Sequence, residues 1–434
     1  MGYKESERIN LNSVMNEPVR TSCVSLARKK PEILAPAGDF EKLRAALSFG
    51  ADAVYLGGAE YGLRAKAKNF DAAGIAEAVE YAHNLGRKVY VTVNVYARNE
   101  DFKCMYDFLI KLRCTGADAV IVSDPGVFSL VKEIIPDMNI HISTQANTTN
   151  YRAASFWAKA GAKRVILARE LSCRELEEIG RAEPSIELEA FVHGAMCMAY
   201  SGRCLLSDYL TGRSANRGEC AHPCRYQYVL MEETRPGEYF PIEEDSRGAY
   251  IMNSKDLCLI EHIPPLIAAG VTSFKIEGRM KSVYYTAATV KAYRGAIDDF
   301  FSDPSVYEQN KGAYLSDLFL TTHRDFTSGF FTGIENEHLQ NYDYGAAGHG
   351  SEFCAIVKSY DSDTGWTVIE QRGKFGVGDE LDFLTAKGPG FRQVINEMLD
   401  LNNNLVTSAP HPRQLLRIRA VRPVQEMDIL RKRA

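Results

Sequence analysis

The chain has 434 residues, 45% of them apolar, 25% charged and 10% aromatic, with 51 Lys and Arg against 56 Asp and Glu for a formal net charge of −5. That composition excludes a disordered, collagen-like or coiled-coil chain, and the length calls for more than one average domain. No apolar run reaches the roughly 18 residues that cross a bilayer, and residues 1–30, read as an N-terminal extension, lack the continuous apolar centre of a signal peptide. A cytoplasmic protein with no membrane partner is expected. In that compartment its ten cysteines are read as metal-binding, reactive or buried thiols rather than disulfides. The acidic total argues against nucleic-acid binding over the whole surface and leaves room for a local basic patch.

From Pro31 to about Arg279 one pattern recurs: a β-branched apolar run, a turn, then a helical stretch. The runs are PEILAPAG, ADAVYLGG, RKVYVTVNV, ADAVIVSDP, NIHISTQ, AKRVILARE, IELEAFVHG and VTSFKIEGR, which makes eight. Continuous apolar runs suit parallel strands buried on both faces. The helical stretches close at Gly50, Gly86, Gly116, Gly161 and Gly270, each just before a strand, where a left-handed cap favours glycine. No GxGxxG follows the first strand. The pattern predicts an α/β fold, a (β/α)8 TIM-like barrel over residues 31–300, with a doubly wound open sheet as the alternative.

Strand seven ends near Gly194, yet its helix, SKDLCLIEHIPPLIAAG, is expected only from Ser254. Residues 195–253 therefore read as an insertion at the C-terminal end of that strand, the face on which such barrels build active sites. Residues 301–349 form a connecting segment. Residues 350–434 change texture to short alternating runs separated by turn clusters, which predicts a small antiparallel β-barrel. Its end is basic, with Arg413, Arg417, Arg419, Arg422, Arg431, Lys432 and Arg433 against Glu426 and Asp428, either a solvated charged end or an RNA-backbone contact.

Cys23, Cys104, Cys114, Cys173 and Cys354 are scattered and read as small buried hydrophobes. Cys197, Cys204, Cys220 and Cys224 fall within 28 residues of the insertion as C-x6-C-x15-C-x3-C. Zinc ribbons pair their ligands as CxxC, which is missing here; looser spacing suits thiolates drawn from several turns onto an iron–sulfur cluster, with a set of redox or structural thiols as the alternative. Cys258 competes with Cys224 for the fourth place. Arg203, Arg213, Arg217 and Arg225, with His193 and His222, outweigh Asp208 and Glu219 locally. Guanidinium forks suit carboxylates or phosphates, and equally ordinary salt bridges.

Further polar residues fall at predicted strand ends on the same face: Asn94 with Tyr96, Asp124, Gln145 with Asn147, Arg169 with Glu170, and Lys275, Glu277 and Arg279. Of these, Asn94, Gln145, Glu277 and Arg279, together with Arg203 and Arg217, are the candidate substrate contacts; capping of the next helix is the alternative. Glu187 and Glu189 are expected to pair, and His323 to be structural. Protease motifs are missing: there is no HExxH, no GxSxG and no cysteine set beside a histidine. No residue is assigned the chemical step.

The run ELEAFVHGAMCMAYSGRCLLSDYLTGRSANRGECAHPCR resembles the signature of the peptidase U32, or collagenase-like, family. PEILAPAGDFEKLRAALSFGADAVYLGG is similar to that family's opening, and MNSKDLCLI and FKIEGRMKS to its later blocks, so the resemblance spans roughly residues 31–430. Within the family the blocks are most similar to the branch that hydroxylates tRNA. The resemblance implies conversion of a wobble uridine to 5-hydroxyuridine, with tRNA as partner and prephenate as a possible small dicarboxylate co-substrate. It also implies a [4Fe–4S] cluster on Cys197, Cys204 and Cys220, with Cys224 or Cys258 as fourth ligand. Arginines of the insertion would anchor the dicarboxylate or an RNA phosphate, and Tyr96, Tyr200 and Tyr209 are possible platforms for the splayed base. The family's peptidase name, and a non-catalytic RNA-binding or electron-delivery partner, are the alternatives. The oligomeric state is not readable from the sequence.

Overall fold

The computed structural model describes residues 29–58, 60–62, 69–197, 199–225, 255–333 and 350–433, and the backbone alone of the short strands at 229–230, 240–241, 253–254, 340–341 and 348–349. Cys23, the Arg225 side chain and residues 1–28 of the predicted extension lie outside the described residues.

Eight parallel strands close on themselves: β1 (Glu32–Pro36), β2 (Ala53–Gly57), β3 (Lys88–Val93), β4 (Ala119–Val122), β5 (Asn139–Ile142), β6 (Arg164–Ile166), β7 (Glu187–Ala195) and β8 (Val271–Ile276), with β8 paired to both β7 and β1. The helices α1 (Phe40–Ser48), α2 (Ala72–Asn84), α3 (Phe102–Arg113), α4 (Pro125–Ile134), α5 (Tyr151–Ala160), α6 (Cys173–Ala182), α7 (Ile263–Ala268) and α8 (Val283–Ser302) follow the strands in turn. The predicted (β/α)8 barrel is the fold. Its strand-to-helix turns end on short polar caps: Asp39, Asp71, Asp124, Asn150, Ser172 and Ser282 each accept a backbone N–H of the first helical turn. At the other end, Gly161 takes the left-handed conformation (φ 94°) that closes α5.

Leu34, Ala53, Tyr55, Tyr90, Ala119, Ile121 and Ile166 pack together as the apolar filling of the barrel interior. Beside them runs an ionic network. Arg164 Nη1 donates to Glu32 Oε1 at 2.6 Å and Glu189 Oε2 at 3.0 Å, and its Nη2 to Glu187 Oε2 at 2.7 Å. Lys275 Nζ donates to Glu189 Oε1 at 2.9 Å, and the Ser273 hydroxyl to both Glu32 and Glu189. Burial works against the charge on Arg164, but Glu32 and Glu189 outweigh it and raise its pKa. Glu187 and Glu189 thus pair, as expected.

The chain leaving the insertion differs from the expected helix. Residues Asp256–Cys258 form a short strand, antiparallel to the end of β7 and parallel to Phe326–Thr327, and α7 begins only at Ile263. The free edge offered by the long β7 captures this segment, and Pro264 and Pro265 fit only the first turn of the helix behind it. Asp256 is buried and accepts from Arg324 Nη2 at 2.6 Å, which fixes the strand in place.

Behind α8 lies α9 (Pro304–Phe319), followed by a seven-stranded antiparallel sheet curved into a half-barrel. Its strands are β9 (Ser351–Tyr360), β10 (Trp366–Gln371), β11 (Glu380–Leu384), β12 (Phe391–Val394), β13 (Met398–Leu399), β14 (Leu415–Arg419) and β15 (Ile429–Arg433), in the order β12-β11-β15-β9-β10-β14-β13. One face holds its own core of Leu381, Phe383, Leu416, Ile418 and Leu430, while Ile356, Leu384 and Ile429 join the core of the barrel helices. Arg431 sits in that seam, donating to Asp382, Asp317 and the Tyr284 hydroxyl. Lys432 pairs with Asp379 and Arg433 with Asp382. Arg431 is therefore structural, which departs from the reading of the basic end as solvated or RNA-binding, while Lys432 and Arg433 remain at the surface.

The nine cysteines described are free. Cys104 and Cys114 are exposed rather than buried, because each lies on the solvent side of α3, whose inner face is Met105, Leu109 and Leu112. Cys354 is buried as expected. Among the described residues no helix is long and apolar enough to cross a membrane.

Candidate active site at the barrel mouth

The C-terminal strand ends converge on one polar cleft. It is lined by Tyr55 of β2, Thr92 and Asn94 of and after β3, Ser143 and Gln145 after β5, Phe191 of β7, and Lys275, Glu277 and Arg279 of and after β8. Four of the six predicted substrate contacts, Asn94, Gln145, Glu277 and Arg279, thus come together here. The enclosed space is only about 50 Å³, well under the few hundred Å³ of an ordinary ligand cleft.

Arg279 is buried and donates from Nη1 to Thr92 Oγ1 at 3.0 Å and from Nη2 to Asn69 Oδ1 at 3.1 Å. Its guanidinium lies flat against Gly57, where a Cβ would overlap both terminal nitrogens, so β2 must end in glycine for the arginine to reach the cleft. The Tyr55 hydroxyl is 3.0 Å from Ile276 O and 3.3 Å from Glu277 Oε2. Lys275 Nζ stands 4.5 Å from the centre of the Tyr55 ring and 5.4 Å from that of Phe191, so the ionic network reaches the cleft through this one ammonium.

On the opposite wall, Asn94 Nδ2 donates to Gln145 Oε1 at 3.0 Å, and the Ser143 hydroxyl donates to the same oxygen. The Gln145 carbonyl accepts from the Tyr96 hydroxyl at 2.7 Å and from Asn147 Nδ2 at 2.8 Å. Asn147 takes a left-handed conformation (φ 53°) to do so. The cleft therefore presents amide, hydroxyl, carboxylate, ammonium and guanidinium groups, each held by a second partner. Such a site can orient a small polar or anionic molecule.

The insertion is fastened over this cleft. Arg169 donates to Ala195 O at 2.7 Å and to Ser201 Oγ at 2.8 Å. Gly202 lies so close to the Tyr96 hydroxyl that a Cβ there would overlap it. Burial raises the Tyr96 pKa, partly offset by the charge of Arg203, which is not among the residues lining the cleft. Arg217 also stays outside: it grips Asp101, before α3, with Nη1 to Oδ2 at 2.8 Å and Nη2 to Oδ1 at 3.1 Å. That fork holds the Asp101 carboxyl below its usual range.

Asp124 caps α4 and takes no part in the cleft. Burial raises the Glu170 carboxyl, which remains outside the lining. His193 is buried among Tyr285, Tyr293 and Phe326, where burial depresses its pKa to about 3. His323 is structural, stacked on Phe326 and set between the carbonyls of Arg324 and Phe319. Tyr200 and Tyr209 are exposed on the insertion.

Cys197 is exposed and Cys204, Cys220 and Cys224 are half-buried. The donor chemistry fits a thiolate-held cluster, since all four are free thiols on one loop over the mouth. Their positions do not gather three Cys, His, Asp or Glu side chains into one group among the described residues, so no cluster geometry is assigned. Cys258 closes the short strand beside His193, and burial pushes its thiol up to about 12. Contrary to the sequence reading, Cys220 too stands beside a histidine: its Sγ is 3.9 Å from His222 Nδ1 and accepts the His222 backbone N–H at 3.4 Å.

Sequence reasoning missed Tyr55, Thr92, Ser143 and Phe191. They lie in apolar runs and carry no motif, yet a step of two back from Asn94 reaches Thr92, and from Gln145 reaches Ser143. That period marks the inward side of each strand and its extension.

The family model described as peptidase family U32 matches residues 38–341, and that of the U32 C-terminal domain residues 349–431. The chain is 39% identical over 404 residues to tRNA hydroxylation protein P1 of Bacillus subtilis, covering 93% of this chain and 95% of that protein. It is 39% identical over 402 residues to tRNA hydroxylation protein P of Escherichia coli, covering 83% and 87%. It is 37% identical over 275 residues to the 23S rRNA 5-hydroxycytidine synthase of Escherichia coli, covering 63% of this chain and 40% of that protein. Two family models in register with the barrel and the half-barrel, and identities near two in five over most of two relatives, establish that the chain belongs to peptidase family U32.

Proposed function

We propose that this chain is an RNA-hydroxylating enzyme that converts a tRNA wobble uridine to 5-hydroxyuridine, with prephenate as co-substrate and a [4Fe–4S] cluster on the insertion. The observation that carries the reading is the polar cleft of Asn94, Gln145, Lys275, Glu277 and Arg279 beneath a four-cysteine loop, in a chain whose relatives are named for hydroxylating tRNA and rRNA. A wobble base is single-stranded and can be splayed onto the rim, with Tyr96 as the platform nearest the cleft. Lys275 and Arg279 suit a carboxylate, and Asn94 with Gln145 the amide edge of a pyrimidine. The cluster, when bound, supplies electron transfer. Cys197, Cys204 and Cys220 would hold it, with the fourth thiolate from Cys224 or Cys258.

Nucleoside mass spectrometry of tRNA from a strain lacking the gene tests the activity. Loss of 5-hydroxyuridine-type nucleosides is expected, and an unchanged profile overturns the reading. Iron and sulfide assays on anaerobically purified protein test the cluster: Cys220→Ala should remove the iron, and the variant that follows it, Cys224→Ala or Cys258→Ala, identifies the fourth ligand. An iron-free wild-type protein sinks the cluster. The Cys220–His222 contact gives the peptidase reading its one foothold, and gelatin cleavage abolished by Cys220→Ser would favour it.

A further inference from the structure

The basic end of the chain separates into two groups once it is folded. Several cations of the half-barrel are neutralised: Arg372 by Glu41 and Glu370, Lys358 by Glu370, Lys432 by Asp379, and Arg431 and Arg433 by Asp382. Around the far end of β14 the arginines are left otherwise. Among the described residues Arg419, Arg422 and Arg392 are exposed and make no ion pair, and Arg417 donates to the neutral Asn403.

These arginines are neighbours. Arg419 faces Trp366 across β10 and β14, its guanidinium carbon 4.9 Å from the centre of the indole, and Arg417 follows two residues along the same face. Gln393 bridges the next crossing, donating to Arg419 O at 2.6 Å and accepting from Val421 N at 2.9 Å, and Arg392 precedes it on β12, opposite Asp382 of β11. Arg422 lies over Phe391, 5.7 Å from the ring centre. The nearby carboxylates have other partners: Asp361 accepts from Asp363 N and the Thr364 hydroxyl, Asp400 from Asn402 N and Asn404 N, and Asp382, opposite Arg392, from Arg431 and Arg433.

We propose that this edge of the half-barrel, Arg392, Arg417, Arg419 and Arg422 around Trp366, docks the phosphate backbone of an RNA, a second contact distant in sequence from the mouth. The proposal rests on the RNA reading of the mouth. A stacked guanidinium loses little rotamer freedom on binding, keeps its full charge and presents a planar fork to phosphate oxygens. Exposed arginines held on aromatic rings, without carboxylate partners, are an anion surface already formed. A folded RNA long enough to enter the mouth with one loop and reach this edge with its backbone meets both.

Filter binding of the full-length protein to bulk tRNA across a salt series tests the contact. The triple variant Arg392→Ala/Arg419→Ala/Arg422→Ala should bind at least about tenfold more weakly, with the log–log salt slope reduced by about 2 to 3, one phosphate contact contributing about 0.7 to 0.9. Arg419→Lys should keep the slope, since the charge remains. An unchanged affinity and slope in the triple variant overturns the proposal, as does binding of the wild type to anionic lipid vesicles with none to tRNA. The nucleoside profile of the deletion strain separates the two readings. If it loses the hydroxylated nucleoside while the triple variant binds normally, the docking edge fails and the function stands. If it is unchanged while the triple variant binds weakly, the edge stands and the hydroxylation fails.

Discussion

Within the barrel, Glu189 and Arg164 belong to a network in which each charge meets an opposite charge and the glutamate is wholly buried. At the mouth, Asn94 bonds Gln145, Arg279 bonds the Thr92 hydroxyl and Glu277 meets the Tyr55 hydroxyl, and all of them border a cleft. Lys275 belongs to both, with its ammonium on Glu189 and its approach between Tyr55 and Phe191 facing the cleft. The difference teaches how to divide the polar residues of one barrel: those whose charges close on each other away from the cleft hold the fold, and those that line the cleft remain able to meet a ligand.

Removing Glu189 should break this division most severely. Glu189→Ala leaves Arg164 and Lys275 short of a buried counter-charge, and a loss of about 3 to 5 kcal/mol in urea unfolding is expected. A loss under about 1 kcal/mol would show that the network is dispensable. Arg279→Ala should cost less stability, about 1 to 3 kcal/mol for the hydrogen bonds to buried Thr92 and half-buried Asn69, while lowering the hydroxylated nucleoside in complemented cells at least tenfold. Gly57→Ala should reproduce the second effect by displacing the same guanidinium. For Asn94→Ala the balance tips further, with about 1 kcal/mol or less in stability and a comparable fall in product. Full activity in that variant would move Asn94 to the structural side.

The smallest effect concerns the tether of the insertion. Because Arg217 lowers the Asp101 pKa, the pair stabilises the protein fully above the ordinary carboxylate pKa and is lost as pH falls through the depressed value. The contribution of a partly exposed pair is about 1 kcal/mol or less. The stability difference between wild type and Arg217→Ala should therefore be present at pH 6 and shrink below about pH 4. A difference that grows on acidification would contradict the pairing.

The barrel was legible because its signals are local: an apolar run, a polar cap and a closing glycine recur within each unit. Asn94, Gln145, Glu277 and Arg279 were legible for a related reason, since a polar residue directly after a buried strand has one direction to point. The strand Asp256–Cys258 was not, because its partner at 193–195 lies some sixty residues away and only pairing makes it extended. The same holds for the basic end. Arg431 and Arg419 are alike in sequence, and only the fold sets one against Asp382 and the other on Trp366.

The strand order of the half-barrel has a consequence for synthesis. β15, made after the other six, lies between β11 and β9 and joins the two halves of the sheet. Until residues 429–433 leave the ribosome, the nascent chain carries two unjoined ribbons with open edges at β9 and β11, the kind of edge that pairs with other chains. The barrel strands pair one after another as they emerge, whereas this sheet waits for its centre. Chains stopped short of Ile429 should aggregate through the half-barrel even when their barrel is formed.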